Sequence, residues 1–329
     1  MPDDPMPTDR VTAPLVMQEA RLLIRNEFSN LDIHQQYFNA YARLQKKDPL
    51  NRTLMLGTDQ RDKMIPAIKR ILADMGEAPK TILDIGCGDE ATFELFSDSI
   101  PQGSKIDILD PNPDYIDAYT MRLRNWDNIT LRQSITEDFS PRDKIDSGKI
   151  RISDDYDIIF VVHSLYFFPD LFVDFAFLYE KLRPDGVMIV IFADETVSFT
   201  GACFEAYTER YDRQTLEAHK RACAERLSLL GDKPHASIGS APVFAGASIT
   251  VERQDTRLYG HSIGDLIALS NISGLIAYEG VEKFDAAADI LTSRPERVSL
   301  RVELDASTPR YGMLSVGQPQ IIGTIRKPS

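Results

Sequence analysis

Two closely spaced glycines, set between an apolar strand pattern and a helical pattern, restrict the fold of this chain more than any other feature. They lie in TILDIGCGDEATFELF, residues 81–96. Gly86 and Gly88 allow a tight turn and a close approach of the backbone to a ligand. In an open parallel sheet, ligands bind beyond the carboxyl ends of the strands. The segment therefore predicts the first strand of an α/β sheet and, directly after it, a ligand-binding turn.

Strand and helix patterns alternate from this turn onward. The strand patterns are TILDIG, KIDILDP, NITLRQS, YDIIFVVHS and GVMIVIFAD, and the helical patterns between them are EATFELFSDSI, DYIDAYTMRLRN and LFVDFAFLYEKLRP. Apolar strands between amphipathic helices are typical of a parallel sheet covered on both faces. The late patterns SITVERQD and QIIGTIRK predict an antiparallel end. The predicted fold class is α/β, with a Rossmann-like, mostly parallel sheet whose last strand is antiparallel.

The predicted sheet has additions on both sides. Residues 1–15 are rich in Pro and acids, which predicts a disordered tail. Apolar residues at helical spacing predict a helical N-terminal cap over 16–78. The main domain is predicted over 79–329, with a helical insertion at about 197–235 and a further strand pattern in RVSLRVELDA.

Composition argues against several classes of function. There are 37 Lys and Arg against 50 Asp and Glu, a formal net charge of −13, whereas nucleic-acid binding needs a basic face. The three cysteines fit a reducing compartment, and the five histidines show no metal-ligand spacing. No segment has the pattern of a signal peptide or the length of a membrane span. We expect a cytoplasmic protein with no metal, nucleic-acid or membrane partner; its oligomeric state is left open.

The charges around the glycine turn indicate the kind of cofactor. GCGDEA satisfies G-x-G-x-x-A, so a nicotinamide dinucleotide is one alternative. However, Asp84, Asp89 and Glu90 would lie near a pyrophosphate and repel it. Asp110 ends the next strand at the distance expected for a carboxylate that binds two ribose hydroxyls. These features favour a cationic nucleoside cofactor without phosphate, S-adenosylmethionine, whose product would be S-adenosylhomocysteine.

Residues 79–194 resemble the class I S-adenosylmethionine-dependent methyltransferases. The resemblance rests on LDIGCGDEA, on the acid of DILDPNPDYI, on DIIFVVHSLYFF and on LRPDGVMIVI. Glu90 departs from it, because the family commonly has a third glycine there. Within the class, SLYFFPD, MIPAIKRIL, QQYFNAYARL and TVERQDTRLYGHSIGDLIALSN are most similar to the histamine N-methyltransferases. That similarity implies a small amine as the methyl acceptor.

The resemblance, together with the positions at strand ends, indicates which residues are candidates for catalysis and for binding. His163 follows an apolar strand, where it could orient the nucleophile or take up its proton. Asp194 and Glu195 could hold a cationic amine, although we expect them to be solvated surface acids. The cofactor-binding candidates are Asp84, Gly86, Gly88, Asp110, Pro111, Ser134, Ile135, Thr136 and Val162. The substrate-binding candidates are the aromatic residues Tyr37, Tyr41, Tyr166, Phe167 and Phe204.

The sequence therefore predicts a methyltransferase that acts on a small molecule, with nitrogen favoured over oxygen as the acceptor. A second possibility is a partner subunit or sensor that binds the cofactor without transferring the methyl group, for which Glu90 leaves room. A nicotinamide-dependent oxidoreductase is a third and weaker alternative. The outcome of a cofactor-binding experiment separates these classes.

Overall fold

The computed structural model describes residues 14–47, 53–88, 93, 95–136, 152, 155–168, 170–230, 242–272, 278 and 280–329. In chain order, the helices are α1 (Pro14–Phe28), α2 (Ile33–Ala42), α3 (Gln60–Ala73), α4 (Pro113–Leu123), α5 (Leu171–Glu180), α6 (Phe199–Tyr211), α7 (Arg213–Leu230), α8 (Ile263–Leu269) and α9 (Lys283–Ser293). The strands are β1 (Lys46–Lys47), β2 (Thr53–Leu54), β3 (Thr81–Ile85), β4 (Ser104–Leu109), β5 (Ile129–Ile135), β6 (Tyr156–Val162), β7 (Leu182–Ala193), β8 (Ser248–Gln254), β9 (Arg257–Gly260), β10 (Arg301–Val302), β11 (Leu314–Gly317) and β12 (Gln320–Arg326). Of the helices in this described part of the chain, none is long and apolar enough to cross a membrane.

The chain forms two compact units. One contains Met1–Gln60, Ala193–Cys223 and Asp255–Gln320, and the other contains Arg61–Phe192, Ala224–Gln254 and Ile321–Ser329. The backbone passes between the units several times, so the units are not consecutive segments such as 16–78 and 79–329. The functional division into a cap and a main domain stays a prediction.

A seven-stranded sheet forms the centre of the second unit. Its strand order is β5-β4-β3-β6-β7-β12-β8. The first five strands pair in parallel, and the sheet has one antiparallel edge. This order confirms the predicted α/β class and the predicted antiparallel end.

Alternating side chains of the sheet enter two separate apolar clusters. Ile82, Ile106 and Ile158 pack in one cluster with α3 and α4, whose buried residues include Ile68 and Tyr119. Leu83, Ile159 and Val161, which point to the opposite face, pack in another cluster with α5, through Phe175 and Leu178. Successive side chains of a strand point to opposite faces, so uninterrupted apolar strands require helices on both faces.

The first unit combines helices with a small antiparallel sheet of order β10-β11-β9. Residues of α1, α6, α8 and α9 share one apolar cluster that includes Phe28, Phe204, Leu266 and Phe284. Capping boxes begin two of its helices: Asp32 and Gln35 at α2, and Ser262 and Asp265 at α8. These boxes satisfy backbone N–H groups that the first turn of a helix leaves unpaired.

Four predicted segments differ from the structure or lie partly outside the described residues. RVSLRVELDA yields only the two-residue strand β10, because residues Pro295–Val298 form a 3₁₀ turn and Ser299 has a left-handed backbone. The predicted tail 1–15 lies outside the described residues up to residue 13, and Pro14 already begins α1. Within the predicted helix after β3, residues 90–92 and 94 lie outside the described residues, and Ser97–Ser99 form a 3₁₀ turn. Residues 231–235 of the predicted insertion also lie outside them.

Candidate functional site

The carboxyl ends of four neighbouring strands lie in register in the seven-stranded sheet. Ile85 pairs with Leu109 and with Val161, and Leu109 pairs with Ile135. Residues that directly follow these four therefore lie along one edge of the sheet. The structure brings together at this edge the following cofactor candidates: Gly86, Gly88, Asp110, Pro111, Thr136 and Val162.

The glycine turn is bonded to the end of the neighbouring strand. Gly86 and Gly88 both have left-handed backbones, with φ of 64° and 60°. The N–H groups of Gly86 and Cys87 donate to the carbonyl oxygen of Leu109, at 2.8 and 3.3 Å. The N–H of Gly88 donates to Oδ2 of Asp110 at 3.0 Å. The positive φ angles explain why the sequence has glycine at both positions.

Asp110 is a buried carboxylate that the backbone holds on both oxygens. Besides the bond from Gly88, its Oδ1 accepts the N–H of Asn112 at 2.8 Å. Asn112 in turn caps α4 by accepting the N–H of Asp114 at 3.0 Å, and Pro113 occupies the first turn of that helix. The carboxylate is thus fixed at the strand end, in the orientation that two backbone donors impose.

Asp84 is placed differently from the other cofactor candidates. It is buried one residue before the end of β3 and accepts a hydrogen bond from the hydroxyl of Tyr119 on α4, at 2.9 Å. This contact joins the strand to the helix that covers it. A structural role is therefore visible for Asp84, and its predicted contact with the cofactor stays a prediction.

The end of β5 contains the cofactor candidates Ser134, Ile135 and Thr136. Ser134 and Thr136 are exposed, and Ile135 is half-buried against the same apolar cluster as Leu109. The carbonyl oxygen of Ile135 accepts the N–H of Asp110 at 3.1 Å. An apolar side chain between two exposed hydroxyls can contact an aromatic base on one side and water on the other.

The end of β6 contains a backbone conformation that is rare for a residue other than glycine. His163 has φ of 55°, and its N–H donates to the carbonyl oxygen of Ile191 at 2.8 Å. A left-handed backbone costs about 1–2 kcal/mol for a residue with Cβ, and such positions cluster at functional sites. Tyr166, three residues after His163, is half-buried. The guanidinium carbon of Arg226 lies 5.2 Å from the centre of its ring. Phe167 lies in the 3₁₀ turn Leu165–Phe167.

Ser164, which is not among the residues predicted from the sequence, lies against the glycine turn. A Cβ added to Gly86 would lie 2.3 Å from Cβ of Ser164 and 3.2 Å from its Oγ. Ser164 therefore occupies the space left by the missing Cβ of Gly86, and two buried polar side chains, Asp110 and Ser164, lie beside the glycine turn. A lone serine after an apolar strand carries no sequence signal, because its importance depends on contact with a residue 78 positions earlier.

The remaining substrate candidates, Tyr37, Tyr41 and Phe204, belong to the first unit. Tyr37 and Tyr41 stack with ring centres 5.9 Å apart, which confirms that they share one face of α2. Phe204 is buried and contacts the ring of Tyr278 at 5.8 Å, and Tyr207 contacts the same ring at 4.5 Å. Burial raises the pKa of Tyr207 and of Tyr278 above the ordinary tyrosine value. A role for these residues in substrate binding stays a prediction.

The expectation that Asp194 and Glu195 are solvated surface acids is wrong. Both are buried: Asp194 accepts hydrogen bonds from the backbone and hydroxyl of Thr196, and Glu195 accepts one from the thiol of Cys223 at 3.4 Å. The physical reason is the tight approach of Gly201 on α6. A Cβ there would lie 1.9 Å from the carbonyl oxygen of Glu195. Among the described residues, no group of three or more His, Cys, Asp or Glu is placed to hold a metal ion.

Comparison with known proteins identifies a family. A family model described as a methyltransferase domain matches residues 56–229. A comparison with curated protein sequences finds no significant match. Among solved structures, the YcgJ protein from Bacillus subtilis has 11% identity and a TM-score of 0.44, with 80% of this chain and 98% of that chain covered. The plantazolicin methyltransferase BamL, in complex with a triazolic desmethylPZN analog and SAH, has 15% identity and a TM-score of 0.44, with 96% and 99% covered.

Proposed function

This chain belongs to the methyltransferase domain family, and on that premise we propose that it transfers a methyl group from S-adenosylmethionine to a nitrogen nucleophile of a small molecule. S-adenosylmethionine is the cofactor that the family uses. It supplies an electrophilic methyl group on a sulfonium centre. The protein's contribution to such a displacement is alignment, removal of water and a neutral nucleophile.

The observation that carries this proposal is the bonded unit of Gly86, Gly88 and Asp110 at the edge of the sheet. Asp110, fixed by two backbone N–H groups, would accept hydrogen bonds from the ribose hydroxyls. Gly86 lets Ser164 pack against the turn, because an added Cβ would lie 2.3 Å from Cβ of Ser164. Ser134, Ile135 and Thr136 would flank the adenine.

His163 is the proposed residue for orienting the nucleophile. It directly follows β6, at the same edge of the sheet as the glycine turn, and its left-handed backbone is supported by the bond to Ile191. An imidazole there would accept a hydrogen bond from an attacking amine and keep its lone pair directed at the methyl group, and it could take up the released proton. Pro111 and Val162 would contribute cofactor contacts beside it.

Aromatic residues would bind the organic part of the acceptor and the positive charge that its nitrogen gains as the methyl group is transferred. An amine cation is attracted to the face of an aromatic ring, by about 0.5–1 kcal/mol at an exposed site and more when desolvated. Tyr166 and Phe167 follow His163 by a few residues, and Tyr37, Tyr41 and Phe204 are the candidates from the first unit. This chemistry supports a small amine in preference to an alcohol, which carries no charge.

The test is methyl transfer from radiolabelled S-adenosylmethionine to a panel of small amines, with matched alcohols in parallel. We compare the wild type with His163→Asn, because Asn tolerates the left-handed backbone. The control is His261→Asn, which changes an exposed histidine. We expect His163→Asn to lower turnover by about 100-fold and S-adenosylhomocysteine affinity by less than about twofold.

Other outcomes of this experiment contradict particular parts of the proposal. Equal turnover in the wild type and His163→Asn would remove the role of His163. Transfer to alcohols alone would make the protein an O-methyltransferase. Stoichiometric cofactor binding without transfer to any acceptor would favour the partner or sensor function.

A further inference from the structure

The hydroxyl of Ser164 is a buried polar group whose hydrogen bonding is not satisfied. Ser164 is only 5% exposed. Its Oγ is buried and has no hydrogen-bond partner among the residues that the structure describes. Buried hydroxyls are nearly always hydrogen-bonded, because a buried polar atom without a partner loses its bonds to water and gains nothing in return. The exception occurs here directly beside the candidate cofactor turn.

The glycine turn itself does not satisfy this hydroxyl. The N–H groups of Gly86, Cys87 and Gly88 are already bonded to Leu109 and Asp110. Oγ of Ser164 nevertheless lies 3.2 Å from the position that a Cβ on Gly86 would take. The hydroxyl is therefore held directly against Gly86, although no N–H group of the turn is bonded to it.

The order of the strands indicates which part of the cofactor meets this hydroxyl. Asp110 follows β4 and Ser134–Thr136 lie at the end of β5, on one side of β3, whereas Ser164 follows β6 on the other side. If adenine lies at β5 and ribose at β4, the chain of the cofactor beyond the sulfur extends across β3 toward β6. That part has an ammonium and a carboxylate group, and a serine hydroxyl can accept from the first or donate to the second.

We propose that Ser164 is a cofactor-binding residue whose hydroxyl makes a hydrogen bond to the amino-acid part of S-adenosylmethionine. The proposal rests on the cofactor assigned under the proposed function and adds a residue that distinguishes intact cofactor from its truncated nucleoside. The left-handed backbone at His163, the preceding residue, directs the chain so that Ser164 packs against Gly86. The amino-acid part of the cofactor would thereby bind a residue that follows β6 and packs against the turn after β3.

The experiment measures, by titration calorimetry, the affinities of the full chain for S-adenosylhomocysteine and for 5′-methylthioadenosine, which lacks the amino-acid part. In Ser164→Ala we expect the affinity for S-adenosylhomocysteine to fall by about tenfold or more, because a hydrogen bond to a charged group is lost. The affinity for 5′-methylthioadenosine should change by less than about twofold. The unfolding temperature of the free protein should stay the same or rise, since a buried hydroxyl without a partner is removed.

Ser270→Ala is the matched control. Ser270 is also buried, but its hydroxyl donates to the carbonyl oxygen of Ile267 at 2.7 Å. We expect this variant to have a lower unfolding temperature and unchanged affinity for both ligands. Equal loss of both affinities in Ser164→Ala, or no loss, would overturn the proposal for Ser164 alone. If the wild type binds neither ligand, the proposed cofactor and this inference are both wrong.

Discussion

At the scale of single residues, Gly86 has both a positive φ and a close contact at the position of the missing Cβ. It has φ of 64°, and an added Cβ would lie 2.3 Å from Ser164. Gly76 has a similar φ of 73°, but an added Cβ there would meet no heavy atom of the described chain within 4 Å. The two glycines therefore separate the effect of the backbone from the effect of packing.

We predict that Gly86→Ala lowers the free energy of unfolding by about 2–4 kcal/mol, the sum of a strained backbone and an overpacked contact. Gly76→Ala should lower it by only about 1 kcal/mol. Urea unfolding of both variants measures the difference. Equal destabilisation by the two substitutions would show that contact with Ser164 does not restrict residue 86.

The residues of the site differ in how well the sequence predicts them. Gly86, Gly88 and Asp110 were predicted because backbone conformation and strand-end position restrict those positions to few residue types. Ser164 could not be predicted in this way, because its hydroxyl is notable only through its packing against Gly86. Glu195 was misjudged for a similar reason, since its burial depends on the approach of α6.

At the scale of helices and strands, the parallel part of the sheet follows directly from the sequence. Two of its strands contain uninterrupted apolar runs, residues 158–162 of β6 and 187–193 of β7, and such runs indicate burial on both faces. The small sheet of β9, β10 and β11 was not predicted. Its strands are two to four residues long, and β9 pairs with a strand more than 50 residues later, so neither length nor local alternation identifies the partners.

The buried carboxylate of Asp107 connects three strands of the sheet, β4, β5 and β6. It has no exposed surface, and it accepts hydrogen bonds from Nε of Arg132 at 2.7 Å and from the hydroxyl of Tyr156 at 2.5 Å. The pKa of Arg132 is raised above its ordinary value by this hydrogen bond. Asp107 thus joins β4 to β5 and to the first residue of β6.

We predict that Asp107→Ala lowers the free energy of unfolding by about 3 kcal/mol, because it leaves a partly buried guanidinium without its carboxylate. The matched control is Arg70→Ala, which removes an exposed ion pair with Glu252 and should change stability by less than about 1 kcal/mol. Chemical denaturation of both variants provides the comparison. A change of less than 1 kcal/mol for Asp107→Ala would contradict the structural role of this network.

Lys283, in the first turn of α9, gives stability a dependence on pH. Its side chain is buried and donates to the carbonyl oxygen of Tyr278 at 2.6 Å. Burial lowers the pKa of Lys283 from 10.5 to about 8. Between pH 8 and 10.5 the folded protein has released this proton while the unfolded chain retains it. The contribution of Lys283 to the free energy of unfolding therefore rises with pH across this window.

We predict that the wild type gains on the order of 1–3 kcal/mol relative to Lys283→Met as pH increases from 7.5 to 10.5. Denaturant unfolding of both proteins at several pH values in this range gives the difference between their free energies of unfolding. Groups that titrate in both proteins contribute equally and cancel in this difference. Parallel stability curves for the two proteins would mean that the lysine has an ordinary pKa in the folded state.

At the scale of the whole molecule, the family match and the compact units divide the chain differently. The match at residues 56–229 begins in the first unit, includes all of Arg61–Phe192 and continues into later segments of both units. The linear order of the sequence predicted the sheet correctly because its main strands are consecutive. It did not predict which distant segments form one unit, since that grouping arises from long-range packing.

The central claim is that this acidic chain binds S-adenosylmethionine at the edge of the sheet formed by Gly86, Asp110 and their neighbours. Thermal unfolding with S-adenosylhomocysteine, and with NAD and NADP in parallel, tests this most directly. At about a hundred times its dissociation constant, a ligand should stabilise the folded protein by roughly 2.7 kcal/mol, which gives a clear rise in the unfolding temperature. We predict a rise with S-adenosylhomocysteine alone. A rise only with a nicotinamide dinucleotide would contradict the cofactor assignment and the proposed methyl transfer.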